Sequence, residues 1–202
     1  MVLELLINWI VNTISTLGYS GVFFLSAIES ANIPIPSEVI LPFSGYLAYM
    51  GRFSFWAVVF VAGFGNLFGS LVSYWIGLKG GRGFVNNYGK YFFMHSRHLE
   101  KSERWFARWG NSVIFFSRLL PGVRTFVSLP AGIAKMNLKK FVIYTLAGSL
   151  IWSALLAALG FWMGENWSVL MTIFREFEVL IVLVGVIGII VWKLRRKFKT
   201  KA

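Results

Sequence analysis

The chain has 202 residues, of which 57% are apolar and 14% are charged, and its formal net charge at pH 7 is +12. This composition excludes an ordinary soluble protein, which needs a larger polar surface, and it indicates a single membrane domain over residues 1–202. Cysteine is absent, so disulfides, thiolate metal sites and a cysteine nucleophile are excluded as well.

The first apolar run covers residues 1–17. Glu4, Asn8 and Asn12 recur on one side of it at helical spacing, so the run either spans the membrane or lies in the interface. The first basic residue of the chain is Arg52. Because a cleavable signal peptide begins with a basic region, none is expected here.

The next apolar region contains Pro34, Pro36 and Pro42. Proline removes a backbone donor and clashes with the preceding helical turn, so we expect two short half-helices that form a re-entrant hairpin. A single kinked span is the alternative. The apolar run from Ser54 to Leu78 is long enough to cross the membrane. Hairpin and span together form a first repeat over residues 18–80.

Residues 81–111 are predicted to be a cytoplasmic loop. Within the loop, Ser96 to Trp109 has the basic and aromatic pattern of an amphipathic helix on anionic lipid, and a solvated loop helix is the alternative. His95 and His98 have no acidic or cysteine partner at metal-ligand spacing, so no metal site is expected.

A second broken region and a second span follow, and together they form the second repeat, residues 112–165. The span runs from Phe141 to Met163. The broken region again predicts two half-helices in a re-entrant hairpin, with a kinked span as the alternative. Four helix-breaking residues lie in it: Pro121, Gly122, Pro130 and Gly132.

Residues 175–202 are predicted to form a last span, from Val179 to Trp192, and a basic tail. Basic residues cluster in this tail and in two earlier segments, from Lys79 to Arg108 and from Lys135 to Lys140. The positive-inside rule therefore predicts a cytoplasmic C-terminus, with the first hairpin entering from outside and the second from inside. These clusters account for the net charge without nucleic acid, which is not an expected partner.

The two repeats resemble each other in sequence. A shift of 87 positions superposes Pro34 on Pro121, Gly45 on Gly132, and Tyr74 to Gly77 on Phe161 to Gly164. Opposite entry of the two hairpins makes this the inverted repeat of secondary transporters, whose sites form where broken helices meet near the bilayer midplane. The predicted fold is an all-α polytopic membrane protein with two re-entrant broken-helix hairpins plus transmembrane helices in an inverted repeat.

Four charged residues lie in the hairpins: Glu29, Glu38, Arg118 and Arg124. One unpaired charge at the bilayer centre costs about 2.5 to 3.5 kcal/mol on insertion scales, so these residues must pair or face water. The hairpins enter from opposite sides, so the four charges are expected to meet in one compartment. Two neutralising ion pairs that only hold the hairpins together are the structural alternative.

These residue types suit a proton-coupled carrier of an anion. Arg118 and Arg124 can hold a phosphate bidentately in a shielded cavity. Burial disfavours a charged carboxyl and a nearby arginine favours it, so Glu29 and Glu38 can load and release protons. Gly122 and Gly132, with Gly45 opposite, let backbone approach a headgroup, or simply allow tight hairpin packing.

Two motifs carry a family resemblance. The first is ExxxxPxPxE from Glu29 to Glu38, and the second is FSRLLPGVRTFVSLPAG from Phe116 to Gly132. They resemble the DedA family of bacterial membrane proteins, which carry a VTT domain. The resemblance implies a multi-pass protein of the bacterial cytoplasmic membrane that transports undecaprenyl phosphate or a phospholipid such as phosphatidylethanolamine, linked to the proton-motive force. It places the essential acids at Glu29 and Glu38 and the essential arginines at Arg118 and Arg124.

Two other function classes are weighed against a lipid carrier. An intramembrane enzyme is disfavoured, since the chain has no aspartate and no GxSxG motif, and neither catalytic residues nor a cofactor are expected. A proton-coupled ion or drug exporter would use the buried glutamates alone, whereas the arginine pair favours an anionic substrate. The expected partners are membrane lipids and protons. Which lipid is carried stays open, and a homo-oligomer is compatible with the sequence.

Overall fold

The structure is a computed structural model that describes residues 2–33, 35–88, 112–120 and 123–164. Within these ranges the chain forms helices and no strands, as expected for the all-α class. The helices are α1 Val2–Leu17, α2 Tyr19–Ser30, α3 Ser37–Tyr49, α4 Phe55–Tyr88, α5 Ser112–Arg118, α6 Val123–Phe126, α7 Ser128–Ile133 and α8 Leu138–Trp162. The predicted amphipathic loop helix, the last span and the basic tail lie outside the described residues, as do Pro34, Pro121 and Gly122.

Two of the described helices are long and apolar enough to cross a membrane. They are Phe55–Gly80 within α4, and α8. Both agree with the predicted spans. Helix α4 continues to Tyr88, past the predicted end of the span at Leu78. The end of an apolar run marks where a span leaves the membrane, but the helix can continue beyond that point.

The first broken region contains two half-helices, as predicted. Helix α2 ends at Ser30, and α3 begins at Ser37 after Pro36, whose φ of −77° suits a residue that precedes a helix. Between them, Asn32 has a φ of 71°, a left-handed conformation that asparagine tolerates better than most residues. The break therefore rests on a turn of the backbone as well as on proline.

Pro42, Pro130 and Gly132 were predicted to break the hairpins, and this is wrong. Pro42 lies inside the continuous helix α3, where it removes the hydrogen bond to the carbonyl four residues earlier without ending the helix. Pro130 is the third residue of α7, in a first turn whose N–H groups have no helical partner anyway. Gly132 also lies within α7.

The second broken region has three short helices where two were predicted. Helix α5 ends at Arg118, α6 covers Val123–Phe126, and a bend at Val127 separates α6 from α7. The backbone at Val127 keeps near-helical angles, φ −70° and ψ −24°. The extra interruption is therefore a bend at a single residue and not a second loop.

Glycines allow close helix crossings, two of which join α3 to α8 and α4 to α7. Where α3 meets α8, a Cβ on Gly45 would lie 2.0 Å from the carbonyl oxygen of Ala157, and a Cβ on Gly160 would lie 1.8 Å from that of Pro42. Where α7 meets α4, the corresponding values are 2.0 Å from Gly132 to Tyr74 and 2.2 Å from Gly77 to Leu129. Helix α3 thus packs backbone to backbone against α8, and α7 does so against α4.

An exposed apolar stripe follows α4. Its side chains recur every three or four residues, and each is at least 40% exposed: Trp56, Phe60, Phe64, Phe68, Val72 and Trp75. So large an apolar face is unfavourable in water and is ordinary against lipid chains. The stripe lies within the part of α4 that is long enough to span the bilayer.

Candidate substrate site

The two broken segments meet at a buried ion pair. Glu29 lies in the last turn of α2 and Arg124 in α6, and the two residues are 3% and 4% exposed. The Nη2 of Arg124 donates to Oε1 of Glu29. The contact joins residues 95 positions apart in the chain, so it holds the first broken segment against the second.

Ser37 and Glu38 extend this contact along the start of α3. The Nη2 of Arg124 also donates to the Ser37 hydroxyl. That hydroxyl in turn donates to Oε2 of Glu38 over 3.3 Å. Glu38 is half-buried. Both predicted acids therefore lie beside Arg124, which makes direct contact with Glu29 and reaches Glu38 through Ser37.

Arg118 lies on the other side of Arg124. It is 2% exposed, its Nη1 donates to the backbone carbonyl of Arg124 at 3.0 Å, and its Nη2 donates to the Ser128 hydroxyl at 2.7 Å. Both acceptors are neutral, and in the described part of the chain Arg118 has no carboxylate partner. Two neutralising ion pairs were the structural alternative, and the described residues contain one of them.

Several buried polar atoms of the described residues have no hydrogen-bond partner. An unsatisfied buried polar group costs about 1 to 3 kcal/mol, so such atoms indicate a place for water or a ligand. Among the described residues they are Oε2 of Glu29, Nδ2 of Asn32 and Asn66, Nε of Arg118, Oγ1 of Thr145, Nε1 of Trp152 and Oγ of Ser153.

The neutral members of this set were missed in the sequence. Asn66 and Ser73 lie on α4, where Asn66 accepts from the Ser30 hydroxyl and Ser73 donates to Oδ1 of Asn32, both at 2.7 Å. These contacts line the break after α2 with neutral polar groups. A signal was present, since polar residues recur at helical spacing inside both apolar spans.

The described residues contain no group of three or more histidines, cysteines or acids that could hold a metal ion. The charged residues at the site are the buried Glu29, Arg118 and Arg124 and the half-buried Glu38. What this arrangement can do is bind an anion between guanidinium groups, beside a carboxyl that can take a proton.

Comparison with known proteins shows the family of this chain. The model of the VTT domain matches residues 35–161. The chain belongs to the VTT-domain family. The resemblance to DedA proteins is thereby confirmed at the level of the family. The matched region contains Glu38, Arg118 and Arg124, whereas Glu29 precedes it.

Individual relatives extend over most of the chain. An uncharacterized membrane protein of Bacillus subtilis, YkoX, is 39% identical over 86% of this chain and 76% of its own length. Undecaprenyl phosphate transporter A of the same organism is 34% identical over 95% of both chains. A Lactococcus lactis protein named alkaline phosphatase-like is 35% identical over 90% of this chain and 87% of its own. No solved structure matches the chain.

Proposed function

We propose that this membrane protein carries a phosphate-bearing lipid, undecaprenyl phosphate in the first place, across the bacterial cytoplasmic membrane. The observation that carries the proposal is Arg118, a buried guanidinium that within the described residues contacts only neutral acceptors and lies beside a second buried arginine. An unpaired charge inside a membrane is expensive, and an anionic headgroup would compensate it. Two relatives, from Bacillus subtilis and Staphylococcus aureus, are named undecaprenyl phosphate transporter A.

The proposed architecture is an inverted repeat with two re-entrant hairpins. The two glycine crossings support it, because they are reciprocal. Gly45 and Pro42 on the first hairpin correspond to Gly132 and Leu129 on the second, a shift of 87 positions for both. Their partners on the long helices also correspond: Tyr74 to Ala157 and Gly77 to Gly160, a shift of 83 positions for both.

The crossings also change the sequence alignment of the repeats. In the alignment at 87 positions, Gly77 corresponds to Gly164, whereas the contacts pair it with Gly160. The difference is four residues, about one helical turn, and it keeps the same helix face toward the hairpin. A cytoplasmic C-terminus and opposite entry of the hairpins belong to the same proposal.

Proton coupling is the second part of the proposal. Oε1 of Glu29 accepts from Arg124, while Oε2 is buried and has no partner among the described residues. A phosphate bound to the arginines would weaken the contact between Arg124 and Glu29 and leave the negative charge of Glu29 uncompensated. A proton on Oε2 would then neutralise that charge. Glu38, connected through Ser37, would relay the proton from the half-buried side of the site.

Transport in proteoliposomes tests the proposed function. Fluorescent undecaprenyl phosphate and phosphatidylethanolamine are incorporated, and movement between leaflets is followed with and without protein. We expect faster movement of undecaprenyl phosphate and no release of inorganic phosphate. Faster movement of phosphatidylethanolamine alone would make that lipid the substrate in place of undecaprenyl phosphate. Faster movement of neither lipid would refute a lipid carrier. Release of phosphate would favour the activity that the Lactococcus relative is named for.

Glu29→Gln is expected to uncouple transport from the pH gradient. Glutamine keeps the volume of a protonated carboxyl but cannot exchange a proton, so lipid movement should persist while its response to an imposed pH gradient is lost. The measurement is flux with and without the gradient, beside the melting temperature. If Glu29 only neutralises Arg124, the variant will lose stability instead, and a stable variant with the full gradient response also contradicts coupling at this residue.

A further inference from the structure

One face of helix α8 contacts both buried arginines. Gly148 lies against Arg118, since a Cβ on this glycine would lie 2.6 Å from the Cβ of Arg118. Trp152 follows one helical turn later on the same face. The guanidinium carbon of Arg124 lies over its ring, 5.3 Å from the ring centroid. A direct contact therefore places Trp152 beside Arg124, and this face of α8 is a wall of the substrate site.

The indole of Trp152 has its polar atom turned inward. The residue as a whole is half-buried, whereas its Nε1 is buried and has no hydrogen-bond partner among the described residues. Tryptophan in a membrane protein usually directs its N–H toward water or a headgroup, because a buried donor without an acceptor is unfavourable. A buried N–H on a ring that is only half-buried therefore indicates an acceptor that binds on the inner side of the ring.

The ring also determines how Arg124 can meet a ligand. Trp152 covers one face of the guanidinium, and Nη2 of Arg124 donates to Glu29 and Ser37 in the plane of the group. A guanidinium binds oxygen atoms in its own plane, so an anion meets it at an edge and not through the covered face. Two hydrogen bonds of about 2.9 Å to different oxygens of one phosphate connect donors several ångströms apart. The ring and the guanidinium are in contact on this scale, so one phosphate at their edge can accept from both.

We propose that Trp152 binds the phosphate of the lipid substrate. Its Nε1–H donates to a phosphate oxygen held by Arg124, and its ring holds the guanidinium in the orientation that this contact needs. The inference rests on the proposed function and adds a residue that recognises the headgroup. The neutral donor supplements the charge-assisted contacts of the arginines, so it strengthens binding of a lipid phosphate without adding charge to the membrane interior.

Two substitutions separate the N–H from the ring. Trp152→Phe keeps an aromatic face for Arg124 and removes the donor, whereas Trp152→Leu removes both. The measurements are thermal stabilisation of the purified protein by undecaprenyl phosphate and the lipid fraction that half-saturates transport, at equal amounts of folded protein. We expect Trp152→Phe to bind the lipid about three- to tenfold more weakly, the range for one neutral hydrogen bond. Trp152→Leu should lose a further two- to tenfold, roughly the contribution of a cation–π contact.

Trp75→Phe is the matched control. Trp75 belongs to the exposed apolar stripe of α4, is 44% exposed, and has its ring against Tyr74. The variant should bind and transport undecaprenyl phosphate like the wild type. Undecaprenol, which lacks the phosphate, should stabilise neither the wild type nor the variants, and inorganic phosphate should stabilise the wild type less than the lipid does. Equal stabilisation by undecaprenol would refute recognition of the phosphate, and equal stabilisation by inorganic phosphate would assign the site to the free ion and refute the lipid.

The outcomes separate this inference from the proposed function. Binding by Trp152→Phe as tight as that by Trp75→Phe, together with impaired binding by Arg118→Lys, would refute the contact from Trp152 and leave the carrier intact. No stabilisation of the wild type by undecaprenyl phosphate would refute both. A lower melting temperature of Trp152→Phe without lipid, with an unchanged half-saturating lipid fraction, would assign the ring a structural role and overturn the inference. Equal losses in the two Trp152 variants would contradict the part of the inference that concerns the ring.

Discussion

Arg118→Lys is expected to lower the rate of undecaprenyl phosphate transport by about ten- to a hundredfold. The guanidinium of Arg118 makes two hydrogen bonds at once, to the carbonyl of Arg124 and to the hydroxyl of Ser128. Lysine keeps the charge but has no planar fork, so it cannot make both contacts and present a third donor to a phosphate. A charge-assisted hydrogen bond contributes about 1.5 to 3 kcal/mol, which corresponds to this loss of rate.

Arg52→Lys is the matched control for this substitution. Arg52 is exposed, and its Nη2 donates to the backbone carbonyl of Ser15 at 2.6 Å. It therefore also loses a guanidinium contact to a carbonyl, but far from the buried arginines, and transport should stay at the wild-type rate. Both variants are compared at equal amounts of folded protein. Transport by Arg118→Lys at the rate of Arg52→Lys would contradict a substrate-binding role for Arg118.

Gly160→Ala is expected to destabilise the protein strongly. The new Cβ would lie 1.8 Å from the carbonyl oxygen of Pro42, and a backbone atom cannot rotate away as a side chain can. Overpacking of this kind typically costs about 1 to 3 kcal/mol and sometimes more, and we expect the upper end. For a chain of this size the melting temperature should fall on the order of 10 °C.

Gly63→Ala is the control, because its Cβ would meet the end of a flexible side chain. The nearest atom is Cδ2 of Leu150, at 2.6 Å, and a change of leucine rotamer can relieve the contact. Thermal unfolding in detergent, followed by loss of monodisperse protein, compares the two variants. Equal stability of Gly160→Ala and Gly63→Ala would show that helices α3 and α8 can separate at little cost.

The long elements of the fold could be predicted from the sequence because their causes are local. An uninterrupted apolar run predicts a span, and α8 was found within a few residues of its predicted ends. The first break could be predicted because Pro36 has no N–H to donate to a preceding helical turn, so it cannot extend the helix before it. Pro42 was predicted to break the next segment and does not, since one missing hydrogen bond costs less than the packing of α3 against α8 gains.

Sequence alone determined which charged residues lie within apolar segments. A charge in lipid is costly, so charged residues in such segments are expected to have a function. They are Glu29, Glu38, Arg118 and Arg124. Tertiary structure decided which of them pair. Glu29 pairs with Arg124, and no carboxylate contacts Arg118 in the described residues. Both facts depend on the packing of two segments that are far apart in the chain. Unsatisfied donors such as Nε1 of Trp152 were likewise beyond sequence reasoning, since satisfaction of a buried group depends on neighbours from other helices and not on residue type.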